Sequence, residues 1–333
     1  MKKKIAVIAV IIMVVLITFG ALKYSSKESD NKVLIFTAST DPQIQFFTTE
    51  LKAKFPDYDI ELLYTTSGNQ ASRLAAEGSK TPTDILYELD FGYAHKVEPY
   101  LADLSDYDFS RYVNEAVLPG KRVLATERSG CSIVMNLEML KSRGLDIPAS
   151  YEDFLKPEYK GLVSMPNPVT SGTGYAFLYS LVKAWGEERA FAYFAALSEN
   201  ILSFTSSGSG PINAIIAGEA AIGFAMTAQA VTEINNGVPL TIFFFEEGSP
   251  YSFFGMGMIE GKQNRKAVRD VFNYLYDVLI EKDKELFFPE KIFKDKDFVI
   301  ANYPTYIPYA DMTGNTQDEK ERLLEIWRNR LQM

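Results

Sequence analysis

Short apolar runs alternate with amphipathic stretches of helical period along the first hundred residues. Val33–Phe36 reads as a strand and Thr37–Pro42 as the loop behind it, with Asp41 as a helix cap and Pro42 at the first helical position. Ile44, Phe47, Leu51 and Phe55 then recur on one helical face. Asp59–Tyr64 is the next strand, Thr65–Asn69 a loop, Gln70–Glu77 a short helix and Asp84–Leu89 a third strand. This β-α-β-α-β order predicts a parallel sheet with crossover helices. Ligands of such sheets sit beyond the carboxyl ends of the strands, where these loops lie.

The pattern resumes after an extended stretch, Val123–Asn136. Leu137–Arg143 reads as a helix, Tyr151–Tyr159 as a loop-helix element and Leu162–Met165 as a strand. Helices follow at Gly174–Trp185, Glu187–Leu197 and Ile212–Ala217, with strands at Ala220–Ala225 and Leu240–Phe245. Tyr251–Glu260 is again extended, and Lys266–Lys282 has the period of one long amphipathic helix. Val123–Asn136 and Tyr251–Glu260 read as two crossings between lobes. The expected fold class is α/β, with two lobes around a central cleft. Residues 31–128 and 252–333 form a discontinuous first lobe and residues 129–251 a second.

Within this frame Met165–Tyr175, MPNPVTSGTGY, carries the most chemistry. Its two prolines forbid a helix before Val169, and Ser171 or Thr170 can cap one that starts near Gly172. The first turn of a helix has N–H groups without internal partners and a positive dipole end. Glycine lets a ligand oxygen approach that backbone closely. Ser171, Gly172 and Thr173 are therefore expected to cradle an anion. The same grammar recurs at Ser39 and Thr40 after the first strand, at Ser67, Gly68 and Asn69 after the second, and at Ser207 and Ser209 in SFTSSGSG. Asp90, after the third strand, reads as a contact for a ligand amine or hydroxyl, or as a solvated loop carboxylate. Arg73 is the arginine best placed to reach the cleft, with surface exposure as its ordinary reading.

Charge and special residues narrow the classes. The net charge is −9, and residues 1–30 carry +3, which leaves −12 for the remainder. So acidic a body argues against nucleic acid and anionic membrane surfaces as partners. An anionic ligand must be held by local donors. Met1–Lys4 is basic and Ile5–Leu22 is almost wholly apolar, which reads as a signal peptide or an uncleaved membrane anchor followed by a solvated linker. Cys131 is the one cysteine, so no intramolecular disulfide forms. His95 is the one histidine, and no G-x-S-x-G elbow occurs, so a serine hydrolase lacks an assignable base. No cofactor or metal site is expected.

The phrases VLIFTAST, TTSGN, TDILYELD, YEDFLKPEYKGLVSMPNPVTSGTGY and GSGPINAIIAGEAAIGFAM resemble the extracytoplasmic solute-binding proteins of ABC importers, in the ferric-iron, phosphonate and phosphosugar branch. The resemblance runs over Val33–Met333. It implies a periplasmic-binding-protein-like fold that closes on a small anionic ligand and delivers it to an ABC permease, as a monomer. A variant hands the closed form to a sensor kinase. Ferric-binding members carry adjacent tyrosines where this chain has Met226–Gln229, MTAQ. Ferric iron needs hard anionic oxygen ligands, so the resemblance points to phosphosugar, phosphonate or phosphoglycerate-like ligands. Thr227 stands at that position and joins the candidate contacts.

Overall fold

The computed structural model describes residues 31–331. The basic and apolar N-terminal segment, with its signal-or-anchor reading, lies outside the described residues. Among the described residues, no helix is long and apolar enough to cross a membrane.

Strand β1 (Lys32–Thr37) lies between β2 (Asp59–Tyr64) and β3 (Ile85–Asp90) and is parallel to both. Helix α1 (Asp41–Lys54) crosses over from β1 to β2, and α2 (Ser67–Glu77) from β2 to β3. The expected parallel sheet is present, and strands of opposite sense extend it. β4 (Leu124–Met135) is 12 residues long and changes partners along its length. Its Leu124–Gly130 half pairs antiparallel with β9 (Tyr251–Met258), which in turn pairs with β3. Its Cys131–Met135 half pairs with β7 (Ile222–Met226) and β8 (Thr241–Phe243). Beyond β7, β5 (Val163–Pro166) and β6 (Ile201–Thr205) continue in parallel.

The other helices are α3 (Phe91–Val97), α4 (Leu137–Ser142), α5 (Gly172–Trp185), α6 (Glu187–Ser198), α7 (Gly210–Ile216), α8 (Thr227–Asn235), α9 (Lys266–Tyr274), α10 (Ile280–Leu286) and α11 (Gln317–Leu331). The long helix expected over Lys266–Lys282 is interrupted by a π-helical turn at Leu275–Leu279. Such a turn holds an extra residue and shifts the helical phase of the residues beyond it. Asp283 and Lys284 on α10 are fully buried.

Two principal cores flank the change of partner in β4. One gathers Val33, Phe47, Ile85, Tyr87, Leu124, Met256 and Phe272. The other gathers Met135, Phe154, Met165, Phe177, Phe194, Phe224 and Trp327. Both expected crossings connect them, and a third passage joins in at Pro308–Ala310. There Ser249 donates its N–H to Pro308 O at 2.6 Å, and Ala310 donates to Ser249 O at 2.9 Å. Residues 252–333 therefore do not all pack with the first core, as the sequence reading had them. The apolar face of α11 seats Leu323, Leu324 and Trp327 in the second core. The Trp327 ring lies 5.2 Å from that of Phe194 and 5.9 Å from that of Phe204. An aromatic surface of this kind outcompetes solvent for the helix face.

A buried polar region adjoins the passages. Glu88, Glu127, Asp283 and Glu290 are all nearly inaccessible and interact with the buried amine of Lys284. Loss of hydration, then the nearby Asp283 charge, raises Glu88 to about 8. Burial raises Asp283 to about 6. Glu290 accepts hydrogen bonds from Gly130 N–H at 2.9 Å and from the Tyr303 and Tyr309 hydroxyls at 2.7 Å each. It thereby ties the C-terminal passage to β4 where that strand leaves the first core.

Candidate functional site

The loop ahead of α5 folds as its residues dictate. Asn167 Oδ1 accepts the Val169 N–H at 2.9 Å, and Asn167 O accepts those of Thr170 and Ser171 at 3.1 and 2.9 Å. Ser171 is the helix cap, its hydroxyl oxygen accepting the Gly174 N–H at 3.4 Å. The N–H groups of Gly172 and Thr173 have no acceptor within the helix. A methyl group at Gly172 would meet no protein atom within 4 Å, so the helix end opens into free space. Gly174 differs. A Cβ there would stand 2.3 Å from Pro166 O, so this glycine is what lets α5 press against the end of β5.

Helix α2 opens in the same way. Thr66 caps it by accepting the Asn69 N–H at 3.4 Å, so it begins three residues before the expected Gln70. The Ser67 hydroxyl donates to Glu88 O at 2.6 Å and accepts the Asp90 N–H at 3.2 Å. It is thus committed to joining α2 to the end of β3. Asp90 caps α3 by accepting the Gly92 N–H at 2.7 Å.

These elements face one cleft of about 520 Å³, a size ordinary for small-molecule sites. Ser67, Gly68 and Asp90 line it from the first core's side, and Ser171, Gly172, Thr173 and Ser207 from the second's. The loop Ser206–Gly208 lies against Thr173, since a Cβ on Gly208 would come within 2.4 Å of its hydroxyl oxygen. Ser39, Thr40 and Ser209 line an adjacent hollow instead, which shares Tyr64 and Met226 with the cleft. The Ser39 hydroxyl is buried against Thr37 Oγ1 at 2.6 Å, and Thr40 caps α1 with its N–H on Gln43 Oε1 at 2.9 Å. Asn69 lines neither space. Nor does Thr227, the first residue of α8, which is fully buried while Met226 fronts the cleft. Arg73 turns back along α2 to pair with Glu77 at 2.8 Å and lies over the Phe36 ring.

Several lining residues escaped the sequence reading: Tyr93, Ser129, Ser252 and Lys320. Ser129 and Ser252 sit on the crossing strands β4 and β9, where each was read only as part of an extended connection. Tyr93 and Lys320 sit on α3 and α11, outside the segments that carry the cradle pattern.

Two bodies built on mixed sheets, joined by extended passages and facing a polar cleft, make up the fold of the periplasmic binding proteins. Residues 84–285 match the family model of the bacterial extracellular solute-binding proteins, and the chain belongs to that family. It is similar to an uncharacterized protein of Haemophilus influenzae, 25% identical over 256 residues that span 75% of this chain and 74% of that one. It is also similar to the phosphoglycerate transport regulatory protein PgtC of Salmonella typhimurium, 27% identical over 152 residues, 46% of this chain and 38% of that one. Among solved structures, the periplasmic binding protein AfuA of Actinobacillus pleuropneumoniae with bound fructose-6-phosphate superposes with a TM-score of 0.79 at 20% identity. The match covers 91% of this chain and 99% of that one. The ferric binding protein of Campylobacter jejuni does so with a TM-score of 0.73 at 17% identity, over 90% and 99%. The two superpositions speak for the fold. Family membership makes this a solute-binding protein that works outside the cytoplasm, and proteins of this type bind small ligands and work with ABC permeases.

Proposed function

We propose that this protein captures a phosphorylated small organic anion in the cleft and presents it to an ABC permease, with residues 1–30 as a signal peptide or anchor. The observation that carries this reading is the meeting of two helix starts, at Ser171–Thr173 and at Ser67–Gly68, on one cleft from opposite cores. Backbone donors at helix starts favour oxyanions irrespective of the sign of the whole molecule. Asp90, beside the Ser67–Gly68 helix start, then suits a ligand hydroxyl, since a carboxylate accepts hydrogen bonds. Fructose-6-phosphate in AfuA and phosphoglycerate in the name of PgtC belong to this ligand class. Ferric capture is disfavoured by the segment Met226–Gln229, MTAQ, which lacks a tyrosine pair. A methionine thioether, Met226, fronts the cleft where ferric binders carry phenolates, and soft sulfur does not suit hard ferric iron.

The test is a thermal-shift screen against fructose 6-phosphate, 3-phosphoglycerate, alkylphosphonates and ferric citrate. A ligand at 100 times its dissociation constant adds about 2.7 kcal/mol to stability. Stabilisation by a phosphorylated or phosphonylated compound is expected, and the double variant S171A/T173A should lose at least about tenfold in affinity while staying folded. Protection by ferric citrate alone, or by none of the panel, overturns the reading.

A further inference from the structure

Lys320 lies on the fourth residue of α11, is 6% exposed, and lines the cleft. Among the described residues no carboxylate comes within ion-pair distance of it. The acidic groups of its own helix turn elsewhere: Glu319 holds Arg322 with two contacts of 2.8 Å, and Glu321 accepts from Gln317. The ammonium instead sits 4.3 Å from the centre of the Tyr93 ring and 4.7 Å from that of Tyr175. Tyr93 belongs to α3, beside the first core, and Tyr175 to α5, in the second. The cation is thus held between one ring from each side of the cleft.

The Lys320 stem is withdrawn from solvent while its ammonium fronts the cleft. It stands at the positive end of a helix, where the dipole opposes it. Two ring faces favour it there, and among the described residues no protein acceptor engages the ammonium's donors. A negatively charged guest in the cleft would satisfy them. We propose that Lys320 is the cationic contact for the ligand's phosphoryl group, and that the two tyrosines hold it in place across the cleft. The inference rests on the anion-capture reading above and assigns that site its charged member.

The test titrates wild type, K320M and K320R with inorganic phosphate, fructose 6-phosphate and 3-phosphoglycerate by calorimetry. Unliganded stability is measured alongside. K320M keeps the apolar stem between the rings and is expected to lose about 10- to 150-fold in affinity for whichever probe wild type retains, the span of one charge-assisted contact. K320R is expected to recover most of that loss, which a purely packing role would not require. K320Q replaces K320M should the latter fail to fold. Equal affinity of wild type and the uncharged variant overturns the role of Lys320 and leaves the anion-capture reading standing. Failure of wild type to retain any of the three probes or an alkylphosphonate overturns both.

Discussion

Gly172 and Gly174 are two residues apart in one helical turn, and the structure gives them opposite reasons to be glycine. A Cβ on Gly172 meets no protein atom within 4 Å, and its φ is not in the left-handed range, so alanine fits the folded chain. Replacing glycine by alanine under those conditions stabilises by about 0.4–1 kcal/mol, mainly by narrowing the unfolded ensemble. The new methyl would stand in the free space at the helix start, where the proposed ligand oxygen takes the Gly172 and Thr173 amides. Loss of one hydrogen bond to a charged acceptor costs about 1.5–3 kcal/mol, or roughly 10- to 150-fold in affinity. A Cβ on Gly174 meets Pro166 O at 2.3 Å and the carbonyl carbons of Pro166 and Asn167 at 2.9 Å. These are backbone atoms that no rotamer change moves, so G174A should destabilise by about 1–3 kcal/mol or more. Urea denaturation of the unliganded proteins and calorimetry with the protecting phosphorylated compound separate the two effects. G172A should be stable and weak-binding, and G174A unstable. A G172A protein that binds like wild type refutes the cradle, and a G174A protein as stable as wild type refutes the close packing.

Two other perturbations test the frame around the cleft. Burial, then the nearby Asp283 charge, pushes Glu88 up from an ordinary 4.5 to about 8, so the folded state keeps a proton that the unfolded chain releases. Stability therefore falls as pH rises from about 4.5 to 8, and the penalty persists above that. E88Q, which can still accept the Thr126 hydroxyl bond of 2.7 Å, should gain on wild type between pH 5 and pH 9 in urea denaturation. Parallel pH profiles would contradict the assignment. S67A removes the hydroxyl that joins Glu88 O to the Asp90 N–H and should cost about 1–3 kcal/mol through the unsatisfied buried groups. An unaltered denaturation midpoint would show that water or a backbone shift replaces it.

Much of the fold was legible because the relevant signals are local. Asp59–Tyr64 is a strand as read, β1 and β3 differ from their readings by a residue or so at each end, and the proline-bounded start of α5 follows from backbone sterics alone. Long-range facts were not legible. Nothing in residues 252–333 announces that α11 leaves one core for the other, because that choice depends on the Phe194 and Phe204 rings more than a hundred residues earlier. The candidate contacts divide along the same line. Seven of those named by their loop position do line the cleft. Ser39, Thr40, Asn69, Ser209 and Thr227 do not, since position after a strand fixes the end of the sheet and not the direction of each side chain. Lys320 was invisible for a further reason. Its distinction is the missing carboxylate partner, and a missing partner exists only in three dimensions.

The division of donors between two cores bears on how the molecule works. Either side alone offers an anion a helix start in a solvated groove, in competition with water and against a body of net charge −12 beyond residue 30. An oxyanion held by both sides at once gains a second set of charge-assisted bonds, and the water displaced from between them no longer screens the first. A ligand shifts a conformational equilibrium only by its difference in affinity for the two states. On the proposed reading that difference is supplied by Ser171–Thr173 and Ser67–Gly68 converging on one guest. Three chain passages at Gly130–Cys131, Ser249–Tyr251 and Pro308–Ala310 keep the two sides in register. Lys320 belongs to a helix packed on the second core and rests on the Tyr93 ring of α3, beside the first, so a phosphoryl group that it held would meet both sides through a single side chain.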